Sequence, residues 1–180
     1  MKKIKIILLA MVFTVALAGC GTKNNAAQSS STNNTGADAY IIKINDSKAA
    51  LDAFNSKGII FFYIDGSALG KIALQELQEL ATEYKVNVYC INVNDSKFKK
   101  DSSDANMKQI YAKIDSKAKY LDDKTTLMTP DIYEIENGAI KNHELGLAVD
   151  NLNVDKPTDD NIKAIKESYR SLFVSQANNK

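Results

Sequence analysis

The chain is poor in residues that build metal and nucleophilic sites: its 180 residues include two cysteines, one histidine, two prolines and no tryptophan. The one histidine, His143, has no cysteine or second histidine at the spacing of a zinc site, so the sequence predicts a surface residue on a strand. Acidic and basic residues are nearly balanced, 22 against 23. They are interspersed, with no basic patch among aromatics, so we expect no nucleic-acid partner. Neither a metal nor a dissociable cofactor is predicted.

Residues 1–19 have the layout of an export signal. Three lysines, at positions 2, 3 and 5, precede an apolar stretch over residues 6–17 that is too short for a comfortable membrane span. The stretch ends in Leu17-Ala18-Gly19-Cys20, which resembles the lipobox of bacterial lipoproteins. The resemblance implies cleavage before Cys20, a diacylglyceryl anchor on its sulfur and a position on the extracytoplasmic face of the cell membrane. An ordinary secreted protein is the alternative.

The rest of the chain divides into a linker and one domain. Residues 21–38 contain no large apolar side chain and are dominated by Asn, Ser, Thr, Ala and Gly. Such a segment cannot bury enough surface to offset its ordering entropy, so residues 20–38 are predicted to be a lipidated cysteine followed by a disordered tether. Residues 39–180 are long enough for one domain with a single core.

Hydrophobic periodicity predicts alternating strands and helices in the first half of this domain. Residues 39–44 form a short apolar strand, and Asp46 or Ser47 can cap a helix that continues to Asn55. Residues 59–64 and 86–93 are apolar runs typical of strands buried on both faces of a parallel sheet. Between them lies a helix whose apolar residues repeat every three or four positions: Leu69, Ala73, Leu77, Leu80 and Tyr84.

The second half continues with helix, hairpin and helix. Residues 96–104 are predicted to be a polar loop, and Asp104 caps a helix with Met107, Ile110, Tyr111 and Ile114 inward. Asn137-Gly138 lies between two apolar runs, which is the strongest short hairpin signal. The last helix opens after Pro157 and buries Ile162, Ile165, Tyr169, Leu172 and Phe173.

The predicted order, β-α-β-α-β-α-β-β-α, and two motifs resemble the thioredoxin family. Residues 58–81, GIIFFYIDGSALGKIALQELQELA, resemble its strand, active-site turn and helix. Residues 129–138, TPDIYEIENG, with Gly146 further on, resemble its cis-proline loop, hairpin and trailing glycine. The resemblance implies an α/β, thioredoxin-like domain with a central mixed sheet flanked by helices. The apolar strand and lipidated setting are also similar to those of bacteriocin transport accessory proteins and related lipoproteins.

The chain departs from the family at the residues that do redox chemistry. Laid on the family pattern without gaps, the C-x-x-C quartet falls on Ser67-Ala68-Leu69-Gly70. An alcohol cannot exchange with a disulfide, and Gly70 has no side chain to release a mixed disulfide. Phe61 stands where many members have a buried acid that relays protons. We therefore expect no dithiol oxidoreductase activity.

The second cysteine, Cys90, lies in a strand predicted to be covered on both sides. A buried thiol is inert, because desolvation raises its pKa. A monothiol redox enzyme that uses Cys90 is the alternative, and it requires exposure beside a positive group. Lipidation of Cys20 excludes a disulfide between the two cysteines.

A binding surface remains when the thiols are absent. In the family, the residue before the cis-proline pairs its backbone with an extended substrate segment. The resemblance implies that Thr129 and Pro130 keep this capacity opposite Ser67, Ala68, Leu69 and Gly70. The predicted function is that of a membrane-anchored, redox-inactive accessory lipoprotein that binds an exported peptide or an envelope protein. Two alternatives stay open: Pro130 merely shapes a turn, or the domain is structural and its partner docks on a helix face.

Overall fold

A computed structural model of the chain describes residues 37–116, 129–145, 153 and 155–178. Five strands and four helices alternate in the predicted order: β1 Ile41–Lys43, α1 Ser47–Phe54, β2 Lys57–Tyr63, α2 Ala68–Tyr84, β3 Val88–Asn92, α3 Ala105–Asp115, β4 Asp131–Glu136, β5 Ala139–Leu145 and α4 Asp159–Asn178. Short 3-10 turns span Ala37–Tyr40 and Ser96–Phe98. The predicted export signal, most of the tether and Gly146 lie outside the described residues.

The strands form one mixed sheet in the order β1-β3-β2-β4-β5. β1, β3 and β2 are parallel, as their helical crossovers require, whereas β4 is antiparallel to β2 and β5 antiparallel to β4. A parallel βαβ half followed by an antiparallel hairpin and a closing helix is the thioredoxin-like arrangement. The predicted fold class is confirmed.

Two apolar layers cover the two faces of the sheet. Ile60, Phe62 and Tyr133 face α1 and α3, whereas Phe61 and Ile132 face α2 and α4. Residues 58–62 of β2 are all buried, so the central strand has no polar face. This double coverage explains why residues 59–64 read as an uninterrupted apolar run.

Local signals place the ends of the elements. The carboxylate of Asp46 accepts a hydrogen bond from the amide of Ala49 at 2.8 Å and begins α1. Asp104 begins α3 by accepting from the amides of Asn106 and Met107. Asn137 and Gly138 both have positive φ, 51° and 76°, which the tight hairpin between β4 and β5 requires.

The structure corrects two sequence predictions about the bounds of the first strand and the segment before α3. The first strand is shorter than residues 39–44, because Ala37–Tyr40 form a 3-10 turn that packs against α2. The segment 96–104 is not simply a polar loop: it contains the second 3-10 turn, and Phe98 within it is buried. The Tyr111 hydroxyl donates to the Phe98 carbonyl, so α3 holds this segment onto the core.

Candidate functional site

The turn between β2 and α2 presents the start of a helix at the end of the sheet. Ser67 is the N-cap of α2, and its hydroxyl accepts a hydrogen bond from the Gly70 amide at 2.9 Å. The turn is held by Asn92 at the end of β3, whose side-chain oxygen accepts from the Asp65 amide at 3.2 Å. Ser67 thus serves as a cap, and no local pattern in the sequence indicates the role of Asn92.

The second predicted segment lies at the same end of the sheet. Thr129–Pro130 is a cis peptide bond immediately before β4. Because Phe62 pairs with Asp131 across β2 and β4, the residue before Asp131 lies near the point where β2 leads into the turn. Pro130 is buried and Thr129 is partly exposed.

Together these segments form an accessible surface, which we call the turn–proline surface: Ser67, Ala68, Leu69 and Gly70 with Thr129 and Pro130. Ala68 is exposed, Ser67 and Leu69 are partly exposed, and Gly70 is buried. Ile64 beside it is 38% exposed, and among the described residues only Val174 is another exposed large hydrophobic side chain. Exposed apolar area therefore adjoins the helix start and the cis-proline.

Gly70 is packed closely against the turn. A Cβ atom built on Gly70 would lie 2.7 Å from the Ser67 hydroxyl oxygen and 3.1 Å from the Ile64 carbonyl oxygen. The side-chain direction at position 70 therefore points at the Ser67 side chain. Residues 67 and 70 are placed as the two cysteines of a C-x-x-C motif would be, but Ser67 carries a hydroxyl group and Gly70 has no side chain.

Phe61 makes the region beneath the turn apolar. Its ring is buried and stacks on Tyr63, with centroids 5.2 Å apart and planes 11° apart. Its neighbours across the sheet are Cys90 in β3 and Ile132 in β4. None of these three residues is a charged partner that would let this site hold an acid.

Cys90 is buried, as predicted. It is 2% exposed, and burial raises the pKa of its thiol to about 12, with Lys43 opposing the shift. A thiol with this pKa is almost fully protonated at neutral pH, and the thiolate is the reactive form. This geometry argues against the monothiol alternative.

We expect Cys90 of the native full-length chain to resist iodoacetamide at pH 8 and to react once the chain is denatured. Burial and the raised pKa both slow alkylation, so the native rate should be at least roughly a hundredfold below that of a free thiol. Peptide mass mapping before and after addition of guanidinium measures this, with a small thiol as the rate reference. Rapid native alkylation would contradict the assignment.

Three residues next to the turn–proline surface form a polar cluster that sequence reasoning missed. Asp131 is 1% exposed and accepts a hydrogen bond from the Tyr133 hydroxyl at 2.6 Å. The Nε2 atom of His143 also contacts the Asp131 carboxylate. The prediction that His143 is a surface residue is therefore wrong, although it does lie on a strand: its side chain is only 15% exposed.

The register of the hairpin decides which face of the sheet carries His143. Counting outward from the Asn137-Gly138 turn pairs His143 with Ile132, on the α2–α4 face. The hairpin instead contains a register shift between Glu134 and Ile135, so that His143 lies opposite Tyr133. The bulge moves His143 to the face that carries Asp131 and Tyr133. No residue type in the hairpin sequence predicts this bulge.

Among the residues that the structure describes, the other polar features do not form a second site with several mutually bonded side chains. Glu76 of α2 is buried, and burial followed by repulsion from Glu79 raises its carboxyl pKa. A groove over the outer surfaces of α2 and α4 lies away from the turn and is crossed by a Lys166–Glu79 ion pair. Within the described part of the chain, no group of three or more His, Cys, Asp or Glu residues is placed to hold a metal ion.

The same part of the chain contains four helices, α1 to α4. None of the helices it contains has both the length and the apolar character needed to cross a bilayer.

Comparison with known proteins finds similarity in structure alone. No family model and no curated protein sequence matches the chain. Thioredoxin O2 from Arabidopsis thaliana is 12% identical, covering 75% of this chain and 96% of its own, with a TM-score of 0.46. Thioredoxin from Trypanosoma brucei brucei is 11% identical, covering 74% of this chain and 91% of its own, with a TM-score of 0.45. Thioredoxin from Trichomonas vaginalis is 18% identical, covering 72% of this chain and 96% of its own, with a TM-score of 0.40. At such low values these matches add nothing on function, and the thioredoxin-like assignment rests on strand order and pairing.

Proposed function

We propose that this protein is a membrane-anchored, redox-inactive, thioredoxin-like lipoprotein that binds an extended segment of an exported peptide or envelope protein. Binding takes place on the turn–proline surface. The observation that carries the proposal is the meeting of the Ser67 helix start and the cis Thr129–Pro130 segment at one end of neighbouring strands.

The geometry supports peptide binding by main-chain pairing. Thr129 lies two residues before the start of β4, and an extended segment placed beside it can hydrogen-bond to its backbone, a mode of recognition that is tolerant of peptide sequence. The exposed Ile64 and Ala68 supply apolar contact area next to that backbone. The choice of an exported peptide as the ligand is part of this proposal, and it rests on the interpretation of the apolar strand and the lipobox-like segment as features of a bacteriocin transport accessory protein.

The absence of redox chemistry is proposed from the residues of the site. Dithiol exchange requires an attacking thiolate and a resolving thiol. Ser67 and Gly70 supply neither, and Cys90 is buried in β3, where it pairs with Phe61 of β2. Binding without exchange is the activity that these side chains can still perform.

Anchoring is proposed from the lipobox-like sequence ending at Cys20. A diacylglyceryl group on the Cys20 sulfur would hold the protein at the outer side of the cell membrane, and a further acyl chain such as palmitate would make attachment firmer. Residues 21–38 would then separate the domain from the lipid surface.

Photo-crosslinking in living cells tests the proposal, with a photoreactive amino acid replacing Ala68 in the full-length chain. We expect one discrete adduct that an excess of the captured peptide competes away, and its mass identifies the partner. The matched control carries the same probe at Ala164, which is exposed on α4, and should give no such adduct. A blank result with folded, membrane-associated protein would overturn the proposal and favour a structural lipoprotein that docks through a helix face.

The substitution Ala68→Asp provides the complementary test, with the probe moved to Ile64. An exposed carboxylate at the start of α2 is favourable for the helix dipole, so folding should be unaffected. Its charge should weaken apolar peptide contacts by roughly tenfold or more, equivalent to about 1.4 kcal/mol. Ala164→Asp is the control. Unchanged capture by the Ala68→Asp protein would contradict peptide binding at this surface.

A further inference from the structure

A buried carboxylate lies directly behind the cis-proline. Asp131 follows Pro130, is 1% exposed, and has both carboxylate oxygens engaged: one accepts from the Tyr133 hydroxyl at 2.6 Å, and the other contacts Nε2 of His143. A carboxylate can only accept hydrogen bonds, so Nε2 of His143 carries the hydrogen. The first residue of β4 is thereby tied to β5 through its side chain.

Aromatic contacts extend this cluster to a third strand. The His143 ring stacks on Tyr133, with centroids 4.5 Å apart and planes 16° apart. Tyr133 in turn meets Phe62 of β2 edge to face at 5.8 Å. Phe62 is also the backbone partner of Asp131. The cluster of Asp131, Tyr133, His143 and Phe62 therefore joins β2, β4 and β5 at one level of the sheet.

The cluster touches both chain segments that form the turn–proline surface. Phe62 lies two residues before Ile64, where β2 enters the turn. Asp131 lies one residue after Pro130. A displacement of Asp131 would therefore move Thr129 relative to Ser67, which is the relation on which binding of an extended segment depends.

Stability alone does not account for a charged group at this position. Burying a carboxylate is costly unless it is paired, and replacing a buried polar pair by apolar residues of similar size is often neutral or stabilising. Asp131 is on the same face of β4 as Tyr133, which belongs to the buried apolar layer with Phe62 and Tyr111, so an apolar side chain at position 131 would face that layer. The pair of Asp131 and His143 instead specifies how β4 and β5 are placed relative to each other, because its hydrogen bond can form in only one arrangement of the two strands.

We propose that Asp131, His143 and Tyr133 are positioning residues that hold Thr129–Pro130 in the orientation in which it binds a peptide. The inference rests on the proposed function, because it assigns a role within the same binding surface. His143 is the member whose removal is most informative: His143→Phe keeps an aromatic ring on Tyr133 but deletes the hydrogen bond to Asp131.

The test measures peptide capture and local structure separately. Capture is measured by the Ala68 photo-probe in cells, and the Thr129 amide resonance is measured by NMR on the full-length chain in detergent micelles without peptide. We expect His143→Phe to shift the Thr129 amide, to leave the Val88 amide in place, and to lower capture roughly tenfold. His143→Gln, which retains an N–H donor, should recover part of the lost capture.

Two controls separate positioning from general destabilisation. Ile165→Val removes one methylene from the α2–α4 layer, away from the cluster, and should keep wild-type capture and an unshifted Thr129 amide. If His143→Phe fails to fold, Tyr133→Phe takes its place, because it deletes a single hydroxyl; it should shift Thr129 and lower capture by at least about threefold.

The outcomes distinguish this inference from the proposed function. A folded His143→Phe protein with an unshifted Thr129 amide, or with wild-type capture, overturns the positioning role. If the wild-type chain captures nothing, the proposed function fails, and the positioning role in peptide binding fails with it. In that case a shifted Thr129 amide in the His143→Phe protein would still show that the cluster influences the Thr129–Pro130 segment, and an unshifted amide would show that it does not.

Discussion

Replacing Ser67 and Gly70 together with cysteine is expected to create an intramolecular disulfide across the first turn of α2. A Cβ at position 70 would point at the Ser67 side chain, 2.7 Å from its oxygen, so two sulfurs placed there would lie within bonding reach. The first cysteine would occupy the helix N-cap, where free amides and the helix dipole lower the pKa of a thiol below its ordinary value.

The gain of chemistry should be measurable as catalysis. The double variant S67C/G70C should accelerate reduction of insulin by dithiothreitol, whereas the wild-type chain should leave the uncatalysed rate unchanged. Loss of two thiols on oxidation, counted by mass after alkylation, reports the disulfide itself. Some loss of stability is expected, because the new Cβ at position 70 lies 3.1 Å from the Ile64 carbonyl oxygen.

Single substitutions provide the controls for this experiment. Ser67→Cys alone should react rapidly with iodoacetamide but form no internal disulfide, since Cys90 is buried. Gly70→Cys alone should be less stable and less reactive. If the folded double variant stays reduced under oxidising glutathione, then residues 67 and 70 do not occupy the positions that the resemblance to thioredoxins implies.

Phe61→Asp is expected to be the most destabilising single substitution beneath the turn. It removes a buried ring that stacks on Tyr63 and leaves a carboxylate between Cys90 and Ile132. Large-to-small changes at buried phenylalanines cost about 3–5 kcal/mol, and an unpaired buried acid adds to this. We therefore expect a loss of about 4 kcal/mol or more in the free energy of unfolding, measured by urea denaturation.

The loss of stability in the Phe61→Asp variant should depend on pH. Burial raises the pKa of the introduced carboxyl above its unfolded value, so the variant loses stability as the pH rises through that raised pKa. The deficit relative to wild type should be larger at pH 7 than at about pH 4, where the carboxyl is largely neutral. Phe61→Leu, the matched control, should cost about 1 kcal/mol at either pH. A small, pH-independent deficit for Phe61→Asp would show that the site is hydrated.

Much of the fold could be predicted because its signals are local. The apolar run of β2, the caps Asp46 and Asp104 and the Asn137-Gly138 turn each act within a few residues, and all are confirmed. Boundaries were less predictable. The shortened first strand follows from packing of the 3-10 turn against α2, which is a long-range contact that no local pattern reports.

The candidate site was only half predictable. Ser67 at the helix start and Pro130 before β4 follow from the order of motifs along the chain, and the structure places both at one end of the sheet. The supporting residues do not follow from that order. Asn92 holds the turn from a different strand, and Asp131 owes its burial to partners on β5.

The amino-acid sequence alone predicts the order of the elements, the apolar character of both faces of β2 and the lack of a cysteine pair at the helix start. These properties depend on residue type and on spacing along the chain, and both are given directly by the amino-acid sequence. The contact of His143 with Asp131 and its stacking on Tyr133 depend instead on how the folded hairpin pairs. They follow from the bulge between Glu134 and Ile135, because one extra residue in a strand of period two transfers every later side chain to the other face of the sheet.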